Sequence, residues 1–205
     1  MAPKRNYVVL WFGYPIITSL FITWLSTRSL SDAAGFVKIA HKPRAAKFES
    51  LELQWNQLAQ CFVLGRYLEA ENFNNFIIDA LVQNSHQAFQ EFRTVSGFTT
   101  WSLTKLWPAI PDEQGIRRIV LDNMCANPPA GFDGEIQGSW SHHLPGGSNA
   151  VISAIFFHDL ARVAIRQNAL GEQMLPPWEG DICRYHTHKD KPDGYSCTTK
   201  MWLEE

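Results

Sequence analysis

The stretch that most constrains the fold is Ser50–Gln83, SLELQWNQLAQCFVLGRYLEAENFNNFIIDALVQ. Leu51, Trp55, Leu58, Phe62 and Tyr67 recur at helical spacing, and Ala59 and Val63 widen the stripe. One face of a helix is thereby marked as core. Glu69, Ala70, Glu71 and Asn72 interrupt the stripe, and a second one follows in Phe73, Phe76, Ile77, Ala80 and Leu81. A joint this short turns the second helix back against the first, so the pattern predicts an αα-hairpin. The fold class expected from it is mainly α, a helical bundle.

Ahead of the hairpin, Tyr7 to Leu25 runs nineteen residues without a charge after Lys4 and Arg5. That is the length and polarity of a membrane-spanning helix or signal anchor. Gly13, Tyr14 and Pro15 interrupt it, and a proline there suits the first turn of a helix starting near residue 15. In that helix Ile16, Leu20 and Trp24, with Ile17, Phe21 and Leu25, form the apolar stripe. Ser29 to Lys47 is rich in small and basic residues and reads as a connection with at most a short helix.

After the hairpin, residues 84–91 either extend its second helix or start another. Any helix through Trp101 to Trp107 stops at Pro108 and Pro111. Asp112 is a candidate N-cap for a helix from about Glu113 to Met124, with Ile116, Ile119, Val120 and Met124 inward and Arg117 and Arg118 outward. Residues 127–147 are dense in proline and glycine and read as a long loop. Trp140, His142 and His143 lie in it, but adjacent histidines point apart and no acid or cysteine stands at ligand spacing. Ser148 or Asn149 caps a further helix with Ile152, Ile155, Phe156, Leu160 and Val163 on one face and Gly171 just past its end. His158 and Asp159, neighbours on that helix, form no dyad by themselves and read as exposed or capping residues.

Four of these pieces resemble the fungal BTB/POZ domain-containing proteins. Pro15–Thr27, PIITSLFITWLST, resembles the last helix of the BTB domain, with Ser26 where tyrosine is usual. Leu58–Val82, LAQCFVLGRYLEAENFNNFIIDALV, resembles the segment after that domain. Gly115–Cys125, GIRRIVLDNMC, resembles the later helix with paired arginines and a Val-Asp end. Asp181–His188, DICRYHTH, resembles the C-terminal Cys-x-Tyr-His-x-His signature. The resemblance implies a remnant of the BTB domain end at 1–28, or simply an N-terminal apolar segment, and a linker at 29–49. It implies further a post-BTB helical domain at 50–171 with its loop at 127–147, and an irregular tail at 172–205.

It also implies a non-catalytic protein–protein interaction protein, an adaptor or scaffold resembling a truncated BTB protein. Phe21, Trp24 and Leu25 would be its partner-binding residues. The protein partner is not named by the sequence, and self-association is one form the interaction can take. The alternative is a small membrane-anchored protein with a soluble helical partner-binding domain.

Charge and motifs bound the remaining functions. A net charge of −2 with acids and bases interspersed leaves no footprint for nucleic acid or an anionic membrane. No dinucleotide fingerprint, P-loop, His-Glu-x-x-His or Gly-x-Ser-x-Gly occurs, so an enzyme is not expected. The cysteines at 61, 125, 183 and 197 are widely spread, which suits an intracellular, cytoplasmic or nuclear setting.

Cys183, His186, His188 and Cys197 are the candidate metal ligands. Two thiolates with two imidazoles suit a zinc tetrahedron. In an extended strand His186 and His188 share a face, and Pro192, Asp193 and Gly194 can turn Cys197 back towards them. The spacing matches none of the standard fingers, and a packed, hydrogen-bonded tail using Tyr185 and His186 accounts for the same residues with no cofactor.

Overall fold

The computed structural model describes residues 15–39, 42–93, 107, 110, 115–127, 148–171 and 175–188. The architecture is mainly helical, and no strand occurs among the described residues. In chain order the helices are α1 (Pro15–Thr27), α2 (Arg44–Tyr67), α3 (Glu71–Phe92), α4 (Ile116–Ala126) and α5 (Ser148–Leu170), followed by a 3₁₀ turn at Ile182–Tyr185.

The α2–α3 hairpin is the frame. Leu51, Trp55, Leu58, Ala59 and Phe62 of α2 are buried against Phe73, Ile77, Ile78 and Leu81 of α3. Tyr67 departs from the expected stripe: at the very end of α2 it is 66 % exposed, because the chain is already turning there. The turn is a Schellman motif. Ala70 N–H donates to the Gly65 carbonyl at 2.8 Å and Glu69 N–H to the Arg66 carbonyl at 3.1 Å, with Glu69 left-handed at φ 53°. The helices meet closely at this end, where a Cβ on Gly65 would stand 2.2 Å from Asn74 Oδ1 and 2.8 Å from Phe73 Cδ1. Glycine is what permits that approach.

Both hairpin helices are longer than their stripes. α2 begins at Arg44, directly after Pro43, inside the stretch read as a connection. α3 runs on to Phe92 through residues whose pattern left the choice open. Nor is the connection a free linker, since Leu30 and Ala33 belong to the core. Gln57 accepts from Val37 N–H at 2.9 Å and donates to the Gly35 carbonyl at 2.7 Å, and Gln54 donates to the Val37 carbonyl at 2.9 Å. Further along, buried Asn84 of α3 donates to the Leu51 carbonyl at 3.1 Å and to Gln54 Oε1 at 3.0 Å, which ties the helices at mid-length.

α1 is described from Pro15 and buries Leu20 and Trp24; residues 1–14 lie outside the described residues. Gly115 at φ 65°, not Asp112, stands immediately before α4, and a Cβ there would lie 2.9 Å from the Phe62 ring. Residues 112–114 lie outside the described residues, as do Trp101 and the loop at 128–147 with Trp140, His142 and His143. α4 presents Ile116, Ile119, Val120, Leu121 and Met124 to the core.

Arg117 is a correction to its helical-wheel placement. Its side chain is only 11 % exposed, lies over the Trp107 ring, donates to the Trp107 carbonyl and stands 3.7 Å from Asp159 of α5. Asp159 also accepts from Trp107 Nε1 at 3.3 Å, so it is a bridging residue of the core edge, while His158 beside it is 74 % exposed. α5 packs through Phe156 and Leu160, and Gly171 ends it at φ 63°.

Candidate functional site

Two places carry the residues singled out by the sequence. The first is α1. Phe21 and Trp24 of the expected partner surface are occupied internally: Trp24 is buried, with its ring 4.9 Å from Phe73 and 6.0 Å from Phe76, and Phe21 meets Phe73 edge-on at 4.9 Å. The reason is that the stripe they share faces the hairpin. Of the three residues, only Leu25 is exposed, at 50 %, beside Ile22 at 58 %. These two stand one helical turn apart on the outer side of α1.

The second place is the C-terminal segment 181–188, which lies across α3 and α4. Asp181 caps the 3₁₀ turn by accepting from Cys183 N–H at 2.9 Å. Tyr185 is buried, donates to Asp122 Oδ2 of α4 at 2.9 Å and accepts from Arg184. Asp122, whose side chain is 1 % exposed, is also within 3.3 Å of Arg184 and 3.5 Å of Arg118. Burial, and then the Asp122 carboxylate, push the Tyr185 phenol well above its ordinary range.

One residue later the segment is fastened to α3. His186 Nε2 donates to Asp79 Oδ1 at 2.8 Å. The Thr187 backbone is held on both sides by one amide, Asn75 accepting from its N–H at 3.0 Å and donating to its carbonyl at 3.1 Å. Cys183 Sγ and His188 Nε2 lie 3.0 Å apart, and the ligand atoms of Cys183, His186 and His188 all fall within 4.8 Å of one another. Three of the four candidate ligands are thus assembled; Cys197 lies outside the described residues.

Asp79, Asn75 and Asp122 were not recognisable as site residues from sequence. They are single polar positions on the edges of apolar stripes, and nothing in their spacing points to the tail.

Elsewhere the thiols are inert in setting. Burial pushes Cys61 up to about 12, and burial with the nearby Asp122 charge pushes Cys125 up to about 11. Neither has the depressed pKa of a nucleophile. Comparison with protein-family models, with curated proteins and with solved structures finds no match for this chain.

Proposed function

We propose that the chain is a non-catalytic protein–protein interaction module, an adaptor or scaffold of the kind the fungal BTB/POZ resemblance implies, working in an intracellular, cytoplasmic or nuclear setting. The observation that carries this reading is the composition of α1. Its thirteen residues contain no charge; Leu20 and Trp24 cover the hairpin while Ile22 and Leu25 face out. A helix apolar on both sides is normally covered on both. The interior supplies one cover, and a second protein surface supplies the other.

The resemblance gains coherence from how its pieces meet. The α1 piece touches the hairpin through Trp24 and Phe73, and the tail piece touches it through His186 and Asp79. The α4 piece meets the tail through Asp122 and Tyr185.

The membrane-anchor alternative rests on Tyr7–Leu25, of which residues 7–14 lie outside the described residues. Among the described residues no helix is long and apolar enough to cross a membrane.

The test is self-association through α1, followed by size-exclusion chromatography with light scattering over a concentration series. Wild-type chain is expected to associate, and Ile22→Asp/Leu25→Asp to weaken that association at least tenfold while keeping its melting temperature, since both side chains are exposed. Monomeric wild type at every concentration, with the variant indistinguishable from it, would count against the proposal. Phe21→Asp is unsuitable here, because it strikes the Phe73 contact and reports on folding.

A further inference from the structure

The Cys183–His186–His188 cluster has the chemistry of a binding site that the interaction role does not use. We propose that these three residues bind a single zinc ion, which closes the 183–188 segment on itself where Asp79 and Asn75 hold it against α3. The site stands on its own geometry and would hold whether or not α1 binds a partner.

The ligand types narrow the ion. One thiolate and two imidazoles are borderline-soft donors that favour zinc and its neighbours, whereas magnesium and calcium want oxygen. In a zinc tetrahedron a sulfur and a nitrogen ligand stand about 3.5 Å apart and two nitrogens about 3.3 Å apart. The ligand atoms here lie within 4.8 Å, with Cys183 Sγ and His188 Nε2 at 3.0 Å. The widest spacing exceeds the tetrahedral value by no more than about 1.5 Å, which rotation of the side chains closes.

The surroundings supply what a zinc histidine usually has. Asp79 Oδ1 accepts a hydrogen bond from His186 Nε2–H at 2.8 Å, the carboxylate–imidazole pairing that fixes a ring and raises its basicity. The backbone between the two histidines is held at Thr187 by Asn75, and the backbone of Cys183 by Asp181. Side chains that must converge therefore start from a fixed main chain. Charge closes as well: Zn²⁺, one thiolate and the Asp79 carboxylate sum to zero, which suits a place where Cys183 and His186 are both largely buried. Three protein ligands leave the fourth position to water or a further donor.

The ion would act structurally, tying Cys183 of the 3₁₀ turn to His186 and His188. Binding releases the thiol proton, so affinity falls as pH is lowered.

The experiment uses full-length chain without a tag, purified under reducing conditions. Metal analysis is expected to find about one equivalent of zinc. Chelation should lower the melting temperature by roughly 5–10 °C, the shift when free zinc exceeds its dissociation constant about a hundredfold. Cobalt added to the apo chain should give the intense visible bands of a tetrahedral ion and a thiolate-to-cobalt charge-transfer band, and Cys183→Ser should abolish the latter. Because that variant can also lose its fold, the deciding result is the wild-type titration. Less than about a tenth of an equivalent of zinc, a chelator-insensitive melting temperature and cobalt spectra without a thiolate band would overturn the site. That outcome leaves a bare thiol–imidazole contact and does not touch the α1 proposal.

Discussion

The α2–α3 hairpin and the segment 181–188 are held by different forces. Between the hairpin helices lie Trp55, Leu58, Phe62, Phe73, Ile77 and Leu81, all at or below 3 % exposure, and the stabilisation is apolar burial with dispersion. The tail segment adds to the buried Tyr185 ring a set of named polar partners: Asp122 for Tyr185 and Arg184, Asp79 for His186, and Asn75 for Thr187. Burial is non-directional and spread over many atoms. A hydrogen-bonded dock depends on a few atoms and fails when one is removed. The hairpin should therefore tolerate the loss of the tail, and the tail should not tolerate a misplaced hairpin.

Breaking the hairpin gives the largest expected effect. Trp55→Ala or Phe62→Ala opens a cavity costing roughly 3–5 kcal/mol, a large share of the stability of a domain this size. Chemical denaturation of both variants should show it, with loss of the tail's contacts as well. A melting temperature unchanged in either variant would mean that the stripe is not the frame.

Breaking the dock comes next. Asp122→Ala takes the acceptor from the Tyr185 O–H and the counter-charge from the Arg184 guanidinium and should cost about 2–3 kcal/mol. The figure stays below that for a fully buried pair because the arginine partners are part-exposed, at 29 % and 47 %. Combined with Tyr185→Phe in a double-mutant cycle, it should show a coupling of about 1 kcal/mol. Strict additivity would place the Tyr185 hydroxyl elsewhere.

The helical pattern is readable because burial repeats every turn, so the hairpin, α1, the inner face of α4 and the Phe156 face of α5 follow from residues alone, although Ile16 of the α1 stripe and Ile155 of the α5 face are exposed. What escaped it depends on distant partners. Arg117 lies on the outer side of its own helical wheel, yet Trp107 and Asp159, from other parts of the chain, turn it inward. Trp24 has the look of a docking residue until Phe73 and Phe76 are brought over it. The start of α2 at Arg44 has no apolar rhythm to announce it, being small and basic. In the tail, the ligand residue types were visible, but the dock was not. His186 and Asp79 are 107 positions apart, and only the closed hairpin makes them neighbours.

Smaller effects sharpen the contrast at the hairpin's closed end. Gly65→Ala drives a methyl against Asn74 and Phe73 and should cost about 1–3 kcal/mol by overpacking. Glu69→Gly should do the opposite, gaining up to about 1 kcal/mol by removing a left-handed non-glycine residue from the turn. Thermal unfolding of the pair distinguishes close approach from backbone strain: both variants shifting the same way would contradict the assigned causes.

The pH dependence follows from the buried thiol. Cys61 is raised from 9.0 to about 12 in the folded chain, so the unfolded chain loses this proton first as pH rises. Its contribution is fully present below pH 9 and is lost between about 9 and 12, at no more than about 1.4 kcal/mol per pH unit. Melting temperatures from pH 8 to pH 11 should fall less steeply in Cys61→Ala than in wild type. Parallel slopes would remove Cys61 as the cause.

Hydrogen exchange followed by mass spectrometry, comparing wild type with Asp122→Ala, tests most directly whether a burial-driven frame carries a separately held polar dock. The account predicts that amides of 182–188 lose about 10- to 100-fold in protection, while those of the paired stripes in α2 and α3 keep the rank and most of the protection they have in wild type. Equal loss across the tail and both hairpin helices, or undiminished protection in the tail, would contradict it.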